Sequence, residues 1–259
     1  MKQVAFDFKG RVAVITGAGK GIGRNIAIAF ANAGAHVVLA GRHRDTLDSA
    51  AKECGGLGGR ALVSPTDVRN VNEVKALVDR TLQEFGQIDI LVNNSGVNRR
   101  GPSLDVTEDA WDFILDTNVK GMFFACQAAG RAMIPRRYGK IINIGSIISH
   151  FGLGSNVPYA SSKGAVLQLT RSLALEWAQH GLNVNGVGPG YVITDQTRSM
   201  FGDDRYRDRI MAKQPQGGLP DEDDIAWTVL FLASDAARYI NGEFIYVDGA
   251  SAIGWVGPE

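Results

Sequence analysis

Tyr159 and Lys163 stand four residues apart in "YASSK", thirteen positions beyond Ser146, which closes the run "KIINIGS". On a helix this spacing puts the phenol and the ammonium on one face. A free phenol titrates near ~10, too high for efficient proton transfer at neutral pH, and a neighbouring ammonium favours the phenolate and lowers that value. The pair reads either as a proton donor with its tuner or as a chance pair on a helix surface, so its surroundings must decide. Ser161 and Ser162 lie between the two, but no histidine is placed by sequence to activate a hydroxyl. They read as small fillers rather than nucleophiles.

Those surroundings are ordered. Apolar runs recur as "RVAVIT", "HVVLAG", "RALVS", "IDILVN", "KIINIG", "LNVNGV" and "EFIYVD", each bounded by Gly, Asn, Asp or Pro. Such runs suit strands buried on both faces of a parallel sheet. Helical patterns fall between them at 21–33, 45–54, 71–85, 107–134, 158–180 and 221–234. Strand alternating with helix predicts an α/β chain, a single doubly wound (Rossmann) domain over residues 1–259 with a parallel seven-stranded sheet and helices on both faces. Ser146 then lies at the carboxyl end of the fifth strand, where open α/β sheets bind ligands, and Pro158 marks the first turn of the helix carrying Tyr159 and Lys163. Residues 191–218 are polar and weakly periodic, and are expected to pass over one end of the sheet as a substrate lid.

The first strand runs straight into "TGAGKGIGRNIAIAF", which places Gly17, Gly19, Lys20, Gly21, Ile22 and Gly23 at a strand-to-helix turn. Missing side chains there let the backbone approach a pyrophosphate whose charge faces the helix N-terminus. No Lys-Ser or Lys-Thr follows the final glycine, so the turn is not a phosphoryl-transfer loop and a dinucleotide fits better. An NAD site usually presents a carboxylate at the end of the second strand, whereas this chain has "LAGRHR". Gly41 brings no charge to repel a 2′-phosphate, and Arg42 and Lys20 can meet one with charge-assisted hydrogen bonds, so NADP(H) is preferred over NAD(H).

Composition narrows the partners. The chain has 259 residues with 27 basic against 27 acidic side chains, which leaves no electrostatic footprint for nucleic acid or an anionic membrane surface. No apolar stretch at its start suits a signal peptide, and none elsewhere reaches the ~20 residues of a membrane span, so a soluble, cytoplasmic protein is expected. Cys54 and Cys126 suit reduced structural thiols. His36, His43, His150 and His180 lack ligand spacing, so no metal site is expected.

Taken together, "TGAGKGIG", "NNSG" at 93–96, Asn118 in "DTNVKG", Ser146, Tyr159 with Lys163, "GPGYVIT" and "NGEFIYVDGA" closely resemble the short-chain dehydrogenase/reductase family, over nearly the whole chain. The resemblance implies an NAD(P)-dependent oxidoreductase acting on CH–OH donors, in which the nicotinamide carries hydride and the protein orients a carbonyl and supplies a proton. It implies that Tyr159 is the general acid or base, that Ser146 holds the substrate oxygen, that Lys163 binds the nicotinamide ribose while tuning the phenol, and that Asn118 supports a proton relay. It further implies that Asp67 and Val68 contact the adenine region, that Asn94, Gly96, Pro189 and Gly190 border the cofactor, and that Val192 and Thr194 hold the carboxamide. Three positions depart from the family pattern: Ser95 and Gly188, where alanine or a similar small residue is usual, and Ala250, where glycine is usual.

For the substrate, "GVNRRGP" after the fourth strand brings Arg99 and Arg100 near the rim, where guanidinium groups pair carboxylates bidentately, unless they are simply an exposed pair kept for solubility or subunit contact. Ser146, Arg99, His150 and Tyr191 are the residues expected to face it. Within the family, "GVNRRGP", "GKIINIGS" and "GPGYVIT" look most like the gluconate 5-dehydrogenase branch, which implies a sugar acid, keto-sugar or related polyol. The alternatives are a 3-oxoacyl-carrier-protein reductase, to whose acidic carrier Arg99, Arg100, Arg136 and Arg137 would be equally suited, and a catalytically silent nucleotide-binding regulator. The 107–134 and 158–180 helices carry apolar residues on more than one side, and the resemblance implies that they meet symmetry mates in a homotetramer built as a dimer of dimers.

Overall fold

The sheet forms because seven short apolar segments pair side by side, the inner ones buried on both faces and the two edge strands only partly covered. The computed structural model describes residues 6–194, 204–212 and 214–254. Its strands are β1 (Val12–Thr16), β2 (His36–Gly41), β3 (Ala61–Pro65), β4 (Ile90–Asn93), β5 (Gly139–Ile144), β6 (Leu182–Pro189) and β7 (Phe244–Val247). All pair in parallel, in the order β3-β2-β1-β4-β5-β6-β7. Every residue of β1, β5 and β6 is buried, which is why those segments read as unbroken apolar runs rather than alternating ones.

Alternate residues of β1 enter different cores. Ala13 and Ile15 pack with Ile26 and Phe30 of α1 (Gly21–Asn32), Leu47 of α2 (Arg44–Cys54) and Ile225 and Val229 of the last helix, α8 (Glu222–Ala233). Val12 and Val14 face the other way, onto Leu77 of α3 (Val71–Phe85), Cys126 of α5 (Gly121–Met133) and Val166 of α6 (Val157–Trp177). Phe30 is fully buried, and its truncation to alanine costs about 3–5 kcal/mol by the usual sum of lost transfer energy and cavity.

Two features position the site. The chain turns outward from β1 through β2 to β3, then crosses back to β4, so the carboxyl ends of β1 and β4 flank the point where strand order reverses. Ligands bind at such crevices. The helical span expected over 107–134 is broken into α4 (Glu108–Leu115), a π-helical turn at Asp116–Lys120, and α5. A π turn holds one residue more than an α turn and is frequent at functional sites. Here it carries Asn118.

Part of the expected lid, residues 195–203 and 213, lies outside the described residues. Within the described part, α7 (Asp204–Met211) is a helix that the weak periodicity did not show. Among the described residues, no helix is long and apolar enough to cross a membrane. Cys54 and Cys126 are both free and buried, and burial pushes their thiols up to about 11 and about 12, so neither is poised as a nucleophile.

Candidate active site

Ser146, Tyr159 and Lys163 come together at the carboxyl end of β5. Ser146 heads a short 3-10 turn, where its Oγ accepts from the Ile148 N–H at 3.3 Å and the turn closes through Ser149 N–H to Ser146 O at 2.9 Å. This fixes the hydroxyl beside the first turns of α6, and Ser146 also hydrogen-bonds the Tyr159 phenol. Lys163 is buried, donates to Ile144 O at 2.9 Å, and holds its Nζ 5.5 Å from the centre of the Tyr159 ring. A side chain added at Gly96 would reach Lys163 Nζ and Asn118 Oδ1, each at 3.6 Å, which places the "NNSG" turn on the same wall.

The electrostatics differ from the expectation. Tyr159 has its pKa raised rather than lowered: burial dominates, while the Ser146 hydrogen bond and the positive charge of Arg100 only oppose it. Burial also brings the pKa of Lys163 down, to about 8. An ammonium that loses its proton near that pH is largely neutral before so weakly acidic a phenol ionises.

Asn118 is fully buried and its side chain is fully engaged. Its Oδ1 accepts from Val97 N–H at 2.8 Å, and its Nδ2 donates to Val97 O at 2.9 Å and to Ser162 Oγ at 3.0 Å. Ser162 in turn donates to Tyr159 O at 2.7 Å. Ser162 is therefore a tie between the π turn and the helix of Tyr159, not the filler that its size suggested, whereas Ser161 is exposed.

The glycine turn has the shape a pyrophosphate needs. Gly17 adopts φ +67°, and a side chain there would meet Asn94 Nδ2 at 2.8 Å; one at Gly23 would overlap Asn94 Nδ2 and Gly17 O. Asn94 secures the turn by donating to Thr16 O at 3.1 Å and Gly17 O at 3.3 Å, and Thr16 Oγ1 accepts from the N–H groups of Asn94 and Ser95 at 3.0 and 3.1 Å. Asn94 thus shapes the loop through its side chain. The start of α1 has no side-chain cap and no acidic residue in its first turn, whereas α3, α4 and α8 are capped by Asn70, Thr107 and Asp221. Its free N–H groups and positive dipole end suit a phosphate, so these residues fit a dinucleotide. Gly19 lies against Thr46, Gly21 against Thr194, and Ile22 is half-buried beside them on the first turn of α1.

Arg42 and Lys20 are exposed. Neither side chain makes a hydrogen bond or ion pair among the described residues. Arg42 and Arg69 both lower the pKa of Asp67, with the hydrogen bonds from Arg69 at 2.5 to 3.1 Å as the main cause. The Asp67 carboxylate is thus taken up by Arg69. Val68 is buried, with its carbonyl against Gly121. Pro189 ends β6, and Gly190 donates to Val247 O at 2.9 Å. Val192 is only 4% exposed and its side chain belongs to the core of α1 and α8, so it can offer a ligand only its backbone.

Among the expected substrate residues, Ser146 is at Tyr159 and Tyr191 is half-buried just beyond β6. His150 is exposed, with its ring 5.8 Å from that of Tyr246. Arg99 does not reach the phenol: its guanidinium lies 4.3 Å over the ring of Phe113, which Arg69 also covers at 5.1 Å. Arg100 supplies the charge that acts on Tyr159.

Several parts were not read from the sequence. Asn93 and Asn143 pair across β4 and β5 at 2.9 Å, joined by Cys126 and Thr170 in a buried polar row under the site. Asn156, at the head of α6, is buried with neither side-chain end hydrogen-bonded among the described residues. Of the departures from the family pattern, Gly188 has a local cause and Ala250 goes against its backbone. A side chain at Gly188 would run into the Tyr246 ring, and Ala250 sits at φ +72°, a conformation that glycine adopts without strain. A surface hollow of about 290 Å³ between the starts of α4 and α6, lined by Trp111, Val157 and Pro158 among others, contains none of the proton-transfer candidates.

This fold and site define an oxidoreductase that works between alcohol and carbonyl with a nicotinamide cofactor, and the chain belongs to the short-chain dehydrogenase/reductase family. A family model described as Enoyl-(Acyl carrier protein) reductase matches residues 17–250. The chain is 41% identical over 256 residues to 2-dehydro-3-deoxy-D-gluconate 5-dehydrogenase of Escherichia coli (strain K12), covering 97% of this chain and 98% of the relative. It is 37% identical over 243 residues to a 3-oxoacyl-acyl-carrier-protein reductase of the same strain, covering 94% and 98%. The structure of a gluconate 5-dehydrogenase from Burkholderia cenocepacia J2315 in complex with NADP and tartrate superimposes with a TM-score of 0.92 at 36% identity, covering 96% of this chain and 98% of that one.

Proposed function

We propose that this chain is an NADP(H)-preferring enzyme that interconverts a keto-sugar acid and its secondary alcohol, in the manner of the gluconate 5-dehydrogenases. The observation that carries the reading is the meeting of Ser146, the Tyr159 phenol and the buried Lys163 at the carboxyl end of β5, and the positive charge of Arg100, which acts on that phenol, suits a substrate that bears its own carboxylate. Ser146 holds the carbonyl oxygen and Tyr159, whose proton burial retains, gives it up to the forming alkoxide, a stronger base than the phenolate left behind. Lys163 holds the nicotinamide ribose, and Asn118 keeps the π turn against the helix of Tyr159. Arg42 and Lys20 would hold the 2′-phosphate of a bound NADP(H), whose nicotinamide would supply or accept the hydride.

The whole chain acts as one domain with 191–218 as its lid, works in the cytoplasm, and assembles as a homotetramer through α4–α6, where Trp111, Phe123 and Leu175 are exposed. The rival substrate class, a 3-oxoacyl thioester, is favoured by the relatives that are 3-oxoacyl-acyl-carrier-protein reductases. A panel of 5-keto-D-gluconate, simple keto acids and 3-oxobutyryl thioester, each with NADPH and NADH, decides between them. The proposal expects the sugar acid with NADPH to give the highest kcat/KM, and a preference for the thioester overturns it. Tyr159→Phe is expected to lose about 100-fold or more in reduction while still binding NADPH. Unchanged turnover in that variant refutes the assigned proton donor.

A further inference from the structure

Asn156 opens α6, and three facts set it apart. It is 1% exposed, and neither Oδ1 nor Nδ2 has a hydrogen-bond partner among the described residues. Asparagine is a favoured N-cap, yet this one does not cap its helix, whereas Asn70, Thr107 and Asp221 cap theirs. Finally, Asn156, Tyr159 and Lys163 follow one another at spacings of three and four residues, so they form a single stripe along the helix.

The stripe has an order. Lys163 is bonded to the end of β5, and Tyr159, one turn nearer the start of the helix, is bonded to Ser146. Asn156 is about one helical turn, ~5 Å, further out. Its backbone is held there: Asn156 O accepts from Ala160 N–H at 2.9 Å. The preceding Ser155, in the left-handed region at φ +57°, accepts from Gly101 N–H at 3.0 Å. That bond ties the entry of α6 to the segment carrying Arg100. Low exposure does not remove Asn156 from the substrate's reach, because Ser146 and Lys163 are themselves only 8% and 4% exposed.

Two unpaired ends of one buried carboxamide are costly to leave unmade. A group that donates to Oδ1 while accepting from Nδ2 would satisfy both, and a hydroxyl, or two neighbouring ones, does so. We propose that Asn156 is the specificity-determining residue that receives a substrate hydroxyl one or two carbons from the reacting carbonyl, selecting polyhydroxy keto acids over substrates that are bare methylene there. The proposal rests on the sugar-acid reading above and names the residue that would enforce it.

The test compares 5-keto-D-gluconate with 5-oxohexanoate, which keeps the chain, ketone and carboxylate but has no hydroxyls. Both are reduced with NADPH by the full-length wild type and by Asn156→Leu, alongside 3-oxobutyryl thioester. Wild type should favour 5-keto-D-gluconate in kcat/KM by about 100-fold or more, since a site built to bond a hydroxyl rejects analogues lacking it. In Asn156→Leu that ratio should fall at least about tenfold, through loss on the hydroxylated substrate alone, with Tm unchanged or higher because an apolar isostere removes two unpaired polar atoms. A preference retained by the variant overturns the role of Asn156 and leaves the sugar-acid reading standing. An equal loss on both keto acids, or a marked drop in Tm, does the same by showing a structural role. A wild type that prefers the thioester overturns both.

Discussion

Burying Lys163 predicts a pH dependence of stability with a definite sign. An unfolded lysine titrates near 10.5, and in the folded chain burial brings this one to about 8. Between those values the unfolded chain holds a proton that the native protein has shed, so native stability rises with pH. The gap corresponds to about 3 kcal/mol at about 1.4 kcal/mol per pH unit. The hydrogen bond from Nζ to Ile144 O favours the ammonium and works against the shift, so this figure is an upper bound. Below about pH 8 the native state carries the full cost of a buried ammonium, and Lys163→Met is then as stable as wild type or more so.

Urea unfolding of the nucleotide-free wild type and Lys163→Met, followed by fluorescence between about pH 7 and pH 10, isolates the effect, because groups common to both chains cancel. Tyr159 limits the window from above: its phenol is raised, so the native state holds on to that proton above pH 10 and stability falls there. The stability of wild type relative to the variant should climb by about 2–3 kcal/mol across the window. Two curves that stay parallel refute the argument that burial, rather than a hidden anionic partner, governs this lysine. The variant should also lose about 100-fold or more in turnover, which a stability measurement alone would not reveal.

Three further outcomes are expected. Arg42→Ala should raise the KM for NADPH about 10- to 100-fold and leave that for NADH nearly unchanged, the size expected for one charge-assisted contact to a phosphate; equal effects on the two cofactors would place the 2′-phosphate elsewhere. Gly23→Ala should destabilise the chain by about 1–3 kcal/mol and weaken nucleotide binding, since its methyl overlaps Asn94 and the Gly17 carbonyl that shape the turn; thermal unfolding and NADPH titration read both. Ala250→Gly reverses the usual rule for that substitution: relief of the left-handed backbone outweighs the added freedom of the unfolded chain, so stability should rise by up to about 1 kcal/mol.

Much of the fold is legible in the sequence because the period of burial is written there. The apolar runs match β1 to β7 within one or two residues, since a strand buried on both faces can hold little else. The 107–134 pattern also locates its helix, but not the π turn inside it. One extra residue in a helical ladder leaves hydrophobic periodicity almost intact. What fixes the turn is contact made far along the chain, from Asn118 to Val97 and Ser162.

The site is legible to the same depth. Residue types and spacing bring Ser146, Tyr159 and Lys163 to one place because strand ends and helix starts are local properties. Their protonation is not local. Tyr-x-x-x-Lys suggests an ammonium lowering a phenol, but burial weakens both charged forms at once, and a sequence does not carry the depth of a site. The neighbours Arg99 and Arg100 show the same limit more sharply. Nothing in "NRRG" says which guanidinium turns toward the reacting groups. Phe113, on α4, decides by drawing Arg99 over its ring, which leaves Arg100 as the charge the phenol senses. Asn156 is the converse case, since its type and place predict a helix cap, and only the finding that it caps nothing makes it a candidate for the substrate.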